Sequence, residues 1–114
     1  MPQLVALINS GSNLSDLLDL RRWRPVSALI PVVDSGDLLV KAAFDNSSAS
    51  FLRVLEPRFG GSSEIRFPIQ AGSKAIIFPS QLETFPFLKL ELVLGGVGSF
   101  QTSPRTLTLM TIPR

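Results

Sequence analysis

The residues of this chain whose types and spacing could do chemistry are two pairs of aspartates and one cluster of arginines. Asp16 and Asp19 sit three apart, as do Asp34 and Asp37. Two carboxylates flanking a bound sugar are the machinery of glycoside hydrolysis, and carboxylates at a tight turn can hold calcium. A calcium loop wants more oxygen ligands than Asp34 and Asp37 offer. The plainer account of Asp34-Ser35-Gly36-Asp37 is a turn, where aspartate bonds its own backbone. Asp16 and Asp19 read as a solvated edge. Phe59-Gly60-Gly61-Ser62-Ser63 lacks the Gly-Lys-Ser/Thr of a phosphate loop and reads as a hairpin tip. Without His or Cys, a Ser-His-Asp triad, a Cys-His pair and a Cys/His zinc site are excluded. A hydrolase would have only the carboxylates left, so no enzymatic activity, cofactor or metal is expected.

Arg21-Arg22-Trp23-Arg24 is the strongest local oddity. Three guanidiniums around one indole could pair with carboxylates of a partner protein or stack on bases. Trp and Arg are also the residues enriched at interface hot spots. The structural alternative is a partly buried Trp at the end of the fold, with arginine stems packed over it. The net charge is only +2, from eleven Lys plus Arg against nine Asp plus Glu. Nucleic-acid binding therefore gains little support. A carbohydrate-binding module would need aromatic platforms, yet Tyr is absent and Trp23 is the only Trp.

These residues must be positioned by strands. From Leu88 the even positions read Leu88, Leu90, Leu92 and Leu94, while Lys89 and Glu91 fall on the odd ones. Strand side chains alternate between faces, so the leucines share a dry face and the charges the other. Leu38, Val40, Ala42 and Phe44 alternate likewise, as do Ile65, Phe67 and Ile69, and Leu107 and Leu109 against Thr106 and Thr108. Val26 to Val32 is a strand in which Pro31 predicts an edge position or a bulge. Phe51 to Glu56 is a strand, Pro57 to Ser63 a loop, and Pro79 to Thr84 a connection with at most one helical turn. Asn13 to Leu20 fits a helical face through Leu14, Leu17 and Leu18, and a strand through Leu18 and Leu20. The strand is favoured, because a helix of under two turns is marginal.

Eight or nine short strands about a dozen residues apart predict an all-β antiparallel sandwich, jelly-roll or immunoglobulin-like. At 114 residues, 45% apolar and 18% charged, residues 1–114 are one domain with a real core. The start of the chain lacks a basic n-region, so no signal peptide is expected. No apolar run approaches the roughly 20 residues of a membrane helix. Residues 1–9 form an extended arm or an edge strand. Five consecutive apolar residues, Leu4 to Ile8, cannot all face one core. Leu4, Val5, Leu7 and Ile8 are therefore candidate protein contacts, beside Arg21, Arg22, Trp23 and Arg24.

The order of these segments resembles a family of small tailed-phage virion proteins. Ser12-Asn13-Leu14-Ser15-Asp16-Leu17-Leu18-Asp19-Leu20, then Ala28-Leu29-Ile30-Pro31, then Leu38 to Phe44 is similar to its opening. Phe87-Leu88-Lys89-Leu90 with Gly95-Gly96 resembles its aromatic-Leu-Lys-Leu strand and glycine turn. Gln101-Thr102-Ser103-Pro104-Arg105-Thr106-Leu107-Thr108-Leu109 resembles its closing strand. The resemblance spans about Ser10 to Thr111, in strand-and-turn patterns without a catalytic signature. It implies a virion structural protein, made in the host cytoplasm, of the capsid decoration or cement type. Its partners would be the major capsid protein and its own copies, with trimers favoured at local three-fold positions. A tail or head–tail connector component would share fold and role.

Overall fold

Period-two alternation sets the fold from the leucine strand outward. The computed structural model describes residues 3–34, 36–47, 50–58, 61–69, 73–95 and 97–114, with the backbone alone for 56–58. Strand β10, Phe87–Leu94, runs antiparallel to β4, Gly36–Ala43, with Leu90 opposite Val40 and Leu92 opposite Leu38. Leu88, Leu90 and Leu92 are sealed from solvent in the core. Leu94 departs from the expected leucine face and is 57% exposed. The strand ends there: Leu94 pairs with Val97 of β11, Val97–Gly98, across a turn at Gly95. The φ of 59° at Gly95 is a conformation that glycine adopts freely.

Two antiparallel sheets enclose the core. One has the order β1 (Gln3–Ile8), β12 (Arg105–Pro113), β3 (Trp23–Ile30), β9 (Lys74–Ile77). In the other, β10 and β4 are central. Strands β2 (Leu18–Asp19) and β11 flank β10, while β5 (Leu52–Arg53) and β8 (Arg66–Ile69) flank β4. The pairs β1–β12, β2–β10, β3–β9 and β4 with β5 and β8 nest inside one another along the chain. Rolling that four-pair ribbon brings β12 beside β3 and β10 beside β4. This strand order is that of a jelly roll. The fold is all-β, with Ala6, Ile8, Ala28, Ile30, Leu107 and Leu109 facing the leucines across the core. Burying one such aliphatic side chain contributes about 1.5–3 kcal/mol.

The segment from Asn13 to Leu20 is a strap that laces the two sheets together. Towards β10, Ser15 N–H donates to the Leu90 carbonyl at 2.8 Å, and Leu90 N–H donates to Ser15 Oγ at 2.8 Å. Leu92 N–H donates to the Asn13 carbonyl, and Asn13 Nδ2 to the Leu92 carbonyl. Towards β1, Asp16 N–H donates to the Leu7 carbonyl, and Leu7 N–H to Asp16 Oδ1 at 2.9 Å. Short polar side chains stand in for missing ladder partners, as Ser, Asn and Asp do locally. Leu18 and Leu20 then enter the core. Asp16 is thus a structural bond on an exposed residue rather than a spare edge carboxylate.

Two further expectations change, and one open alternative is decided. Strand β3 is interior, between β12 and β9, and stops at Ile30 before Pro31. Its bulge lies earlier, where Val26 is the extra residue between the Ser27–Met110 and Pro25–Thr111 pairs. Proline brings no N–H, so a position beside a bulge tolerates Pro25. The stretch expected as a loop after Glu56 is largely hairpin: β6 (Leu55–Arg58) pairs with β7 (Gly61–Glu64). Its tip, residues 59 and 60, lies outside the described residues. Finally, residues 3–8 are an edge strand in full register with β12, not a detached arm.

Candidate interaction surfaces

The outer side of the four-stranded sheet is built from the positions that alternate with its core residues. Val5, Thr108, Leu29 and Ala75 lie in one row across β1, β12, β3 and β9. Gln3, Met110, Ser27 and Ile77 form the next row, and Leu7 stands opposite Thr106. None of these ten carries a charge. Val5 is 54% exposed, Leu29 59% and Ile77 79%. Gln3 Nε2 contacts Met110 Sδ at 3.4 Å, so its amide is turned onto the sheet. Lys74 stands at the rim of a shallow depression on this face, beside Leu29, Ala75, Thr106 and Thr108. Beyond the bulge the same side also carries Arg24 opposite Ile112, with Arg24 reaching Glu83 at 3.8 Å; between that end and Lys74 the face is uncharged and largely apolar.

The outer side of the other sheet is the reverse. Lys41 on β4 sits directly opposite Lys89 on β10, a repulsive pairing taken alone. Lys89 Nζ is drawn aside over the Phe51 ring, 4.8 Å from its centroid. Lys41 Nζ approaches Glu91 Oε2 at 3.8 Å, and Arg53 Nε donates to Glu91 Oε1 at 2.9 Å. Arg53 continues to Glu64 at 3.0 Å, Glu64 to Arg66 at 3.3 Å, and Arg66 to Asp37 at 2.6 Å. The Arg53 hydrogen bond holds the Glu64 carboxyl below the usual glutamate range. Glu91 raises the Arg53 guanidinium, and Asp37 raises Arg66. Glu91, expected on a wet face, is only 8% exposed because Arg53 and Lys41 close over it. Beside it Ala43, Phe51 and Phe87 form a second small apolar cluster with Leu17.

The candidate contacts of the N-terminal run divide by parity. Ile8 is sealed in the core and Leu4 packs against it, so neither is available to a partner. Val5 is exposed and Leu7 half-buried, and both belong to the uncharged face. The arginine cluster is taken up locally. Arg21 pairs with Asp19 at 2.7 Å and lies 5.4 Å from the centroid of the Phe87 ring. That hydrogen bond lowers the Asp19 carboxyl and raises the Arg21 guanidinium. Arg24 reaches Glu83 at 3.8 Å. Trp23 is half-buried against the core, which leaves no free indole platform. Arg22 is exposed, and its carbonyl accepts from the Arg114 N–H at 3.0 Å. The Arg114 guanidinium also reaches the carbonyls of Leu20 and Glu83. The two sets of candidates do not converge: Val5 and Leu7 look out from β1, while Arg21 to Arg24 gather around Asp19, Phe87 and Glu83.

The aspartate pairs are likewise separated by their partners. Asp34 pairs with Arg105 at 3.1 Å and accepts from Thr102 N–H at 2.9 Å, whereas Asp37 goes to Arg66. Asp16 accepts from Leu7, and Asp19 from Arg21. Among the described residues, no three acidic side chains gather as a cage for a cation. Each of these four carboxylates serves the fold.

Two other exposed apolar groups were not singled out by the sequence. Phe44, Leu52 and Leu55 line a trough with Phe85, whose ring lies 5.6 Å from that of Phe44. Leu94, Val97 and Phe100 are exposed around the β10–β11 turn. Since Phe87 pairs with Ala43 and Val93 with Asp37, these groups sit at opposite ends of the β4–β10 pair. The signal for both lies in strand ends: alternation predicts a buried Phe44 and Leu94, yet each falls just where pairing stops. No family model, curated protein or solved structure matches the chain.

Proposed function

We propose that this chain is an adhesive structural component of a tailed-phage particle, a capsid decoration protein that binds where major capsid subunits meet. The observation that carries the reading is the distribution of exposed apolar side chains. Among the described residues most of them fall into three groups, one on the outer sheet face and one at each end of the β4–β10 pair, with Val26 and Val32 exposed apart from these. Contiguous exposed apolar patches mark interaction sites, and three of them on one small domain suit a protein wedged among several neighbours. Binding free energy gained only in the assembled shell is subtracted from its tendency to open, by linkage. The resemblance of the strap, leucine strand and closing strand to small virion proteins supports the same reading. The jelly-roll strand order agrees with it by analogy alone, since the fold serves capsid and lectin domains alike.

Electron microscopy of particles carrying a labelled copy of this chain tests the proposal. Labels arrayed over the head are expected. Labels confined to the tail or neck favour the connector role, and particles without label overturn both.

A further inference from the structure

We infer that the uncharged outer face of the four-stranded sheet is a pairing surface for a second copy of this chain. The inference rests on the adhesive reading of that face and is independent of whether the particle is a phage head. Three observations select the occupant.

The first is charge. Taking an ionised group out of water is costly unless it is paired, so a face with none among its ten outward residues is best matched by another of the same kind. The molecule's other sheet face cannot serve. Its Glu91, Arg53, Glu64, Arg66 and Asp37 already satisfy one another, and a second molecule laid over them would strip their water for no new partner.

The second is shape. A four-stranded sheet is a gently twisted plane, and two such planes pack face to face about 10 Å apart in sandwiches generally. Leu29 and Thr108 stand opposite each other on the two central strands. A two-fold axis through that pair would set each copy's Leu29 against the other's threonines. It would also carry Val5 on one edge strand towards Ile77 on the opposite edge of the partner. The contact is isologous and closes at two copies, which departs from the three-fold arrangement that the resemblance suggests.

The third is area. Four strands about 4.8 Å apart, over some five residues of about 3.3 Å rise, give a footprint on the order of 300 Å². Stable interfaces bury about 800 Å² per partner. The pair should therefore be reversible, with a dissociation constant in the micromolar range. Copies held side by side on a larger surface would pair far more fully, because tethering raises their effective concentration.

Sedimentation of the full chain from about 1 to about 200 µM reads this directly. The expected result is a monomer passing to a dimer. Leu29→Asp should weaken pairing on the order of a hundred-fold or more, because two like charges would be desolvated together near the axis. Lys89→Gln, on the charged side, should pair as the parent does. Thr108→Lys is the second probe, read in place of Leu29→Asp if that variant fails to fold. A parent that stays monomeric throughout overturns the pairing. If Leu29→Asp then still abolishes particle binding, the adhesive reading survives and the face belongs to a foreign protein. A trimer, or a dimer indifferent to both substitutions, also overturns the inference.

Discussion

The two sheets of this sandwich have the same alternation and opposite exteriors. On the β4–β10 side the outward positions carry Lys41, Glu91 and Asp37, tied through Arg53, Glu64 and Arg66 into one chain of ion pairs, with Lys89 held over the Phe51 ring. On the β12–β3 side they carry Thr106, Thr108, Met110, Ser27 and Leu29. The charged side looks the more functional in a sequence, yet it is the self-sufficient one. Its groups are already paired, so a partner would gain little there. The quiet side leaves its apolar area uncovered, and that free energy is still available to an interface.

The comparison can be broken most violently from within. Leu90 is sealed under both sheets and hydrogen-bonded to the strap through its backbone. Leu90→Asp would bury an unpaired carboxylate, costing about 5 kcal/mol or more against a total stability of about 5–15 kcal/mol. The product should show no cooperative thermal transition by circular dichroism.

Next comes the charged side. Glu91→Ala leaves Arg53 and Lys41 facing each other without their shared carboxylate. Removing one partner of a fully buried pair costs about 3–5 kcal/mol. Arg53 remains partly solvated, so about 2 kcal/mol is expected in urea unfolding. This corrects the view from the sequence, in which Glu91 stood on the face opposite the dry leucines. A melting curve unchanged by Glu91→Ala would mean that the network is decoration rather than cover.

A smaller effect separates the sides by pH. Glu64 is held below its ordinary range by Arg53, so its folded value lies under its unfolded one. The unfolded chain then binds more protons in that window, and stability rises with pH. Its contribution is full above the usual glutamate value of about 4.3 and is lost as pH falls through the lowered folded value. Glu64→Gln should flatten part of the stability loss seen between about pH 5 and 3. The ten uncharged outward residues contain nothing that titrates, so Leu29→Ala should leave that acid limb unaltered.

The smallest stability effect is expected on the quiet face itself. Leu29→Asp sits on an exposed position and should change unfolding free energy by about 0.5 kcal/mol or less. Strong loss of association with so little loss of stability is the signature of a contact surface.

What was legible in the sequence was whatever period two could carry. Leu88, Leu90 and Leu92 of β10, Leu107 and Leu109 of β12, and Leu38, Val40 and Ala42 of β4 face the core as their spacing predicts, whereas Leu94 and Phe44 at the strand ends do not. What escaped depended on partners far away in the chain. Glu91 is covered by Arg53, which is 38 residues distant and arrives on the two-residue strand β5. The strand favoured for Asn13 to Leu20 is realised only at Leu18–Asp19 and as single bridges at Leu14 and Ser15, because Asn13, Ser15 and Asp16 bond through side chains as well as backbone. The N-terminal run was read as apolar surplus. Parity instead divides it, with Ala6 and Ile8 inside and Val5 outside, once β12 fixes its register. The uncharged face had a signal at every second residue of four strands, but those strands come from four distant parts of the chain. Only their pairing puts Val5, Leu29 and Ile77 on one surface.

Single cysteines read directly which side of the sandwich seeks a partner, because the sequence has none of its own. Thr108→Cys places a thiol at the middle of the uncharged face, and Lys89→Cys places one on the charged side. With a thiol-reactive cross-linker long enough to bridge sheets about 10 Å apart, at equal concentration, the Thr108→Cys chain should collect as a covalent dimer while the Lys89→Cys chain stays monomeric. Equal cross-linking of the two, or dimer from Lys89→Cys alone, would contradict the account.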